Sequence, residues 1–430
     1  MKIAVVGGGG VRTPLLVAGL TASDLPIDEI ALYDIDDARL RVIGGVAAKM
    51  ASRGRVAPCA SLDACVSGAD FVFTSIRVGG IERRARDEAV AQRHGIAGQE
   101  TVGPAGFAMA ARTIPEMVRY AREIARAAPR AWIVNFTNPV GMVTEAMRSE
   151  TDRAIGICDT PTDLFEHIAH ALGLRPDRCY FDYFGLNHLG WVREAYADGA
   201  PQLERLWRAP ERLRTIYKVP LFDAEALSEL KLLPTEYVYY YDQPQRAFEN
   251  VRRAGRTRGQ TIAELTGVLF DALSNPAADH VAVYRSYLWT RSAGYMEIES
   301  GGESTAPAFT PELGGYDRIA LAVVRAIHVD ANAILPLSVV NRGALPDLDD
   351  GDVVEVPCVV NANGARPIQV GRVPDRVRPL LQQVKEYERL TVRAARERSL
   401  DAARAALAAN PLVRGRDEAD RLIADLMPLW

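Results

Sequence analysis

The amino-acid sequence predicts an α/β protein, a doubly wound parallel sheet followed by a C-terminal α+β domain. Three observations predict it. Short apolar runs alternate with helix-like stretches through the first third of the chain, a glycine cluster joins the first run to the first helix, and the texture changes from about residue 166. Strands that alternate with helices run parallel and are joined by helical crossovers.

The elements follow in order. Residues 3–6 form a short apolar run, and residues 14–20, after the glycines, have helix-forming composition. Residues 29–33 make a second run closing on Asp34, and a helical stretch covers 37–50. Residues 71–75 give a third strand, an amphipathic helix lies around 114–127, and strands follow at 132–136 and 155–157. Beyond them, 180–186, 191–197, 338–340 and 353–360 read as strands, with 346–351 as a loop. In the helix expected at 376–395, Leu380, Leu381, Val384, Tyr387 and Leu390 fall at helical spacing. A chain of 430 residues exceeds what one core fills, so we expect two domains, 1–165 and 166–430.

Composition narrows the class. Hydrophobic residues at 48% and charged residues at 25% are ordinary for a globular protein. A net charge of −4 leaves no basic footprint, which argues against a nucleic-acid partner. The five cysteines (Cys59, Cys65, Cys158, Cys179, Cys358) are odd in number and sparse, which suits a reducing compartment rather than a disulfide framework. The N-terminal stretch lacks a signal-peptide pattern and no apolar run is long enough to span a membrane, so the expectation is a cytoplasmic protein.

Gly7, Gly8, Gly9 and Gly10, followed by Val11 and Arg12, lie between the first strand and the first helix. Glycines there let the chain turn tightly and let a pyrophosphate approach the backbone at a helix N-terminus. Asp34 ends the next strand, where a carboxylate binds the ribose hydroxyls of NAD and repels the extra phosphate of NADP. Arg12 occupies the third glycine position of the Rossmann pattern, so the fingerprint is incomplete. Strand, helix and acid together nevertheless point to a Rossmann-type NAD site.

Cys158 follows the strand at 155–157 within GICDTP, and His188 lies in YFGLNHLGW. A thiolate and an imidazole suit a borderline or soft divalent ion and leave positions open for substrate and water. Read alone, the pair is also compatible with a core cysteine and a packed histidine.

The segments MKIAVVGGGGVRTP, SIRVGGIERRARDE, GQETVGPAGFA, NFTNPVGMVTEA, GICDTP, YFGLNHLGW and VNRGALPDLDDGDVVEVP occur in this order. Together they resemble glycoside hydrolase family 4, of the 6-phospho-glucosidase type, from end to end. The resemblance implies a lactate/malate dehydrogenase-like fold, with NAD and a divalent metal, commonly manganese, as cofactors. It also implies a mechanism in which hydride leaves C3 of the sugar for NAD, a side-chain base removes the C2 proton, and the aglycone is eliminated from C1. Water then adds and the hydride returns.

The same resemblance assigns roles. Cys158 and His188 match the metal ligands, while Arg84, Asn138 and Arg258 match substrate-binding positions. Glu100 is a secondary acid/base or positioning candidate. The base is expected among the tyrosines of EYVYYYDQ, where Tyr237 best fits the spacing, Tyr241 competes, and Tyr239 and Tyr240 stay open. Asp159 matches the general acid of members that cleave α-glycosides, whereas the overall texture is closer to 6-phospho-β-glucosidases, so the anomer stays open. Relatives suggest a homodimer or homotetramer acting on a small glycoside. Two other readings compete. One is an NAD-dependent 2-hydroxy acid or sugar dehydrogenase of the lactate/malate class, which would ask for a histidine–aspartate pair. The other is an inactive NAD(H)-binding sensor.

Overall fold

A strand covered by helices on both faces needs apolar side chains at consecutive positions, and β1 (Lys2–Val6) has them: Ile3, Ala4, Val5 and Val6 are all buried. The computed structural model describes residues 1–302 and 315–427. In it β1, β2 (Glu29–Tyr33), β3 (Arg55–Pro58), β4 (Phe71–Thr74), β5 (Trp132–Asn135) and β6 (Ala154–Gly156) pair in parallel, in the order β3-β2-β1-β4-β5-β6. The order reverses direction between β1 and β4. A crevice therefore opens beyond the carboxyl ends of those two strands, where doubly wound sheets bind ligands. Five of the six strands lie where apolar runs predict them. The exception, β3, is an edge strand of sequence RVAP with both ends exposed, and it has no apolar run to announce it.

The C-terminal region supplies a hairpin, β7 (Cys179–Leu186) and β8 (Leu189–Ala197), flanked by the short strands β9 (Ala200–Pro201) and β10 (Leu233–Pro234). The late strands do not join it. Instead β11 (Ala333–Val340), β12 (Val353–Asn361) and β13 (Gly364–Pro367) add antiparallel strands to the first sheet, with Ser338 opposite Gly156. Gly156 permits this approach, because a Cβ there would stand 2.6 Å from Thr144 Oγ1 and 2.8 Å from Ser338 Cβ. The nine-stranded sheet that results among the described residues thus uses chain from both ends of the sequence.

The helix Gly103–Ala127 starts well before the expected 114, since its first turns are buried on all sides and so carry no amphipathic period. The helix Arg378–Glu397 lies close to expectation and brings a buried lysine against the first region. Lys385 Nζ donates to Glu145 Oε2 at 2.7 Å, Glu388 Oε2 at 2.8 Å and the Val353 carbonyl at 3.0 Å. This strut ties the helix Val140–Met147 and β12 to the C-terminal helix. Lys385→Met would leave two carboxylates beside an apolar side chain, and removing one partner from a buried ionic cluster costs about 3–5 kcal/mol. We expect a loss of that size in urea unfolding, and a loss below about 1 kcal/mol would show that the strut does not hold these elements together.

Candidate active site

The chain turns sharply as it leaves β1. Gly7 has φ +95°, and a Cβ on it would stand 2.3 Å from the Ser75 carbonyl oxygen at the end of β4, so no other residue fits. The Gly7 and Gly8 amides both donate to the Tyr33 carbonyl at 2.9 Å. Gly8 consequently faces Leu32 and the core, outside the cleft that Gly7, Gly9, Gly10, Val11 and Arg12 line. The Gly9 amide donates to Asp34 Oδ2 at 2.9 Å, and the other Asp34 oxygen accepts from the Asp36 amide at 3.0 Å. The carboxylate is thereby fixed beside the loop. The following helix, Thr13–Ala22, has no side-chain N-cap, and its positive end faces the glycine turn.

Cys158 follows β6, and His188 occupies the two-residue turn between β7 and β8. Although distant in sequence, Cys158 Sγ and His188 Nε2 are 3.5 Å apart. His188 has φ +66°, a left-handed conformation that favours glycine. Burial lowers its imidazole to about 4, against the pull of Asp159 and Glu100, so the ring is neutral at neutral pH. Burial, with Asp159 and Glu355 nearby, pushes the Cys158 thiol well up. Among the described residues no group of three or more His, Cys, Asp or Glu side chains forms a closed metal site. A thiol that gives up its proton to a metal and a neutral imidazole, at an open cleft, fit a divalent ion that completes its shell with substrate oxygens and water.

The Tyr237 ring stacks on His188, with centroids 3.9 Å apart and planes 8° from parallel. Of the other three tyrosines, Tyr239 donates to the Glu299 carbonyl at 2.9 Å and Tyr240 to Glu299 Oε1 at 3.1 Å. Tyr241 does not face the cleft. It lines a small cavity behind His188 together with Tyr387 and Glu388, whereas Tyr237 lines the main cleft. Asp159, next to Cys158, accepts from Arg12 Nη1 at 3.3 Å. One turn on, burial and the Asp159 and Glu236 carboxylates raise Asp163, an acid that no local pattern announces.

Arg84 and Arg258 both line the cleft, as does Asn138 after β5. Arg84 Nε donates to Glu88 Oε1 and Nη1 to Glu100 Oε2, each at 2.7 Å. Arg77 binds the other Glu100 oxygen, its Nε at 2.9 Å. Both Glu100 oxygens thus accept from arginines, which holds the carboxylate in place between Arg77 and Arg84. Of the two roles expected for Glu100, acid/base or positioning, these contacts are those of a positioning group for two arginines. Arg258 opens the helix Arg258–Leu273, capped by Thr257, and its guanidinium donates to the Arg291 carbonyl. Arg77 and Arg291 line the same cleft and escape sequence reasoning, because a lone arginine beside a strand or in a helix looks like any surface charge.

Residues 2–174 match the Family 4 glycosyl hydrolase and residues 183–413 the Family 4 glycosyl hydrolase C-terminal domain. The chain belongs to glycosyl hydrolase family 4. This family 4 chain is 31% identical to a Bacillus subtilis protein named "Probable 6-phospho-beta-glucosidase", over 99% of its own length and 96% of the relative's. It is 28% identical to a phospho-alpha-glucosidase of Clostridium acetobutylicum, over 99% and 97%. A Thermotoga maritima 6-phospho-beta glucosidase structure with manganese, NAD+ and glucose-6-phosphate superposes with TM-score 0.84 at 27% identity, over 100% and 98%. A lactate dehydrogenase from a deep-sea metagenome shares the fold at TM-score 0.53 and 16% identity, over 92% and 98%. Family membership favours the hydrolase reading over a dehydrogenase or an inactive sensor. No helix among the described residues is long and apolar enough to cross a membrane.

The arginine clamp makes a pH-dependent prediction. Burial alone would raise the Glu100 carboxyl, but Arg77 and Arg84 outweigh it and hold it near 2 against an ordinary 4.5. A depressed acid stabilises the fold above its unfolded pKa and loses that contribution as pH falls through the folded value. Glu100→Gln should therefore cost on the order of 3 kcal/mol at pH 7. In urea unfolding the gap to the parent protein should narrow between pH about 4.5 and 2, whereas a gap that stays constant with pH would show that charge pairing is not its source.

Proposed function

We propose that this chain hydrolyses a 6-phosphorylated glucoside, with NAD and a divalent metal ion, manganese foremost, as resident cofactors. One observation carries the reading: the glycine turn, the Cys158–His188 pair and the arginines all open onto a single cleft at the point where the strand order reverses. The ligands named in the Thermotoga maritima structure support the same assignment.

Each residue then has a task. Gly7, Gly9, Gly10, Val11 and Arg12 receive the dinucleotide pyrophosphate, and Asp34 accepts from its ribose hydroxyls. Gly8 acts indirectly, by fixing the turn to Tyr33. Cys158 and His188 would hold the metal. When bound, the metal and NAD supply Lewis-acid polarisation and reversible hydride acceptance. Tyr237 takes the proton from the sugar carbon next to the polarised one. Burial, with Glu236 beside it, pushes its phenol up, so the cationic groups of the site have to offset that during turnover. Asp159 donates to the departing oxygen. Arg84, Asn138 and Arg258 bind phosphate and sugar oxygens, the guanidiniums in a bidentate manner.

Residues 1–165 form the NAD-binding part in this reading and also contribute Cys158. Residues 166–430 bring His188, Tyr237 and Arg258 and the surfaces for a cytoplasmic homodimer or homotetramer. Asp159 supports an α-linked substrate, and the Bacillus subtilis relative supports a β-linked one.

The test is hydrolysis of α- and β-p-nitrophenyl glucosides, each with and without a 6-phosphate, in the presence of NAD, manganese and a thiol reductant. We expect cleavage of a phosphorylated substrate that stops without NAD or after chelation, with no NADH accumulating. The preferred substrate of the pair separates the anomers. Cleavage indifferent to NAD would overturn the mechanism, and activity confined to unphosphorylated substrates would overturn the substrate class. Tyr237→Phe should lower kcat by about 10²–10⁴-fold, the contribution of a positioned base.

A further inference from the structure

The ring nitrogen of His188 that faces away from Cys158 is engaged, and its partner settles which tautomer the ring adopts. His188 Nδ1 lies 2.7 Å from Thr101 Oγ1, and both residues are buried. Thr101 is itself held by Gln99: the Thr101 amide reaches Gln99 Oε1 at 2.5 Å and the Thr101 hydroxyl reaches the same oxygen at 2.8 Å. A backbone amide can only donate, so the Gln99 atom it meets must be the carbonyl oxygen rather than the NH₂. That oxygen has no proton to give. The Thr101 hydroxyl therefore donates to Gln99 and is left as an acceptor towards His188. Nδ1 must carry the proton, and Nε2 presents its lone pair to Cys158 Sγ at 3.5 Å.

We propose that Thr101, oriented by Gln99, is a positioning residue that locks His188 in the tautomer able to coordinate the metal. The inference rests on Cys158 and His188 being the metal pair, as set out above. It gives the segment GQETVGP a function apart from the arginine clamp at Glu100. The backbone of His188 is already in a left-handed turn. Its ring is confined further by the stacked Tyr237, so the hydrogen bond to Thr101 acts on a side chain with little other freedom. Outer partners of this kind typically govern metal affinity by 10–100-fold.

Two measurements test it on the full-length protein. The first is Mn²⁺ affinity by titration of the metal-free protein, comparing the parent with Thr101→Val, Thr101→Ser and Cys158→Ser. We expect Thr101→Val to bind about 10–100-fold more weakly, Thr101→Ser to stay near the parent because its hydroxyl remains, and Cys158→Ser to lose binding. Parent-like binding by Thr101→Val, beside a Cys158→Ser that has lost it, overturns the role of Thr101 and leaves the metal pair standing. Parent-like binding by Cys158→Ser overturns the metal pair and the inference with it. The second measurement, which does not depend on Thr101→Val folding, is the ¹⁵N spectrum of histidine-labelled, metal-free parent protein. His188, assigned by comparison with His188→Gln, should show a protonated Nδ1 and an unprotonated Nε2. The reverse pattern overturns the proposal.

Discussion

The Cys158–His188 pair depends on one buried carboxylate, Glu355 of β12. Its Oε2 accepts from the Tyr183 hydroxyl at 2.7 Å, and its Oε1 from Asn187 Nδ2 at 3.1 Å and Ser338 Oγ at 3.3 Å. Tyr183 and Asn187 belong to the hairpin whose turn carries His188, while Ser338 sits opposite Gly156, two residues before Cys158. A single side chain thus fastens the hairpin to the sheet edge from which the cysteine emerges. Burial raises this carboxyl to about 7 even though its three donors pull it down. The antiparallel addition of β11 and β12 to the parallel sheet now has a consequence for chemistry. It carries Glu355 to the place where two distant parts of the chain must meet within bonding distance.

A second clasp works on the arginines of the cleft. Glu88 lies on the helix Gly80–Arg93 and is fully buried, with one oxygen on Arg84 and the other accepting from the Gly259 amide at 2.6 Å. Gly259 is in the first turn of the helix that begins with Arg258, where the backbone dipole favours an anion. Glu88 therefore sets the position of both substrate-type arginines at once, one through its side chain and one through its helix. The cleft is lined by carboxylates as well as cations: Arg77, Arg84, Arg258 and Arg291 all line it, and Glu100 and Glu88 hold Arg77 and Arg84 in position there. Recognition of an anionic group there rests on where individual guanidiniums point rather than on an overall positive field.

How legible all this is in the sequence follows from how far each feature is local. The parallel strands announce themselves through apolar runs, and the glycine turn through residue type, because both are set by nearest neighbours. Cys158 and His188 can be picked out as donors, but their approach depends on a tertiary clasp whose key residue, Glu355, reads locally as an exposed acid in a strand. The placement of β11 to β13 is invisible for the same reason: an antiparallel strand has no local mark of the sheet it joins, and the permissive Gly156 looks like any other glycine. Tyr237 and Tyr241 differ by one helical turn in sequence, and only the packing of Tyr387 and Glu388 around the latter separates them. The partners of Glu100, Arg77 and Arg84, are far enough away in sequence that its contacts cannot be read locally.

The electrostatics of the metal pair close the argument. A buried thiolate without a counter-charge is costly, so the thiol of Cys158 keeps its proton and the ring of His188 stays neutral in the protein alone. After burial itself, the Asp159 carboxylate holds the thiol up, with Glu355 adding to it in its ionised form. The same negative field lowers the energy of a divalent cation placed between Sγ and Nε2, and that cation is what makes the thiolate favourable. The surroundings of Cys158 disfavour a bare anion and are compensated by a cation beside it, as a metal centre requires. Thr101 completes the arrangement from the far side of the imidazole, since a lone pair aimed at the ion is of use only if the other nitrogen holds the proton.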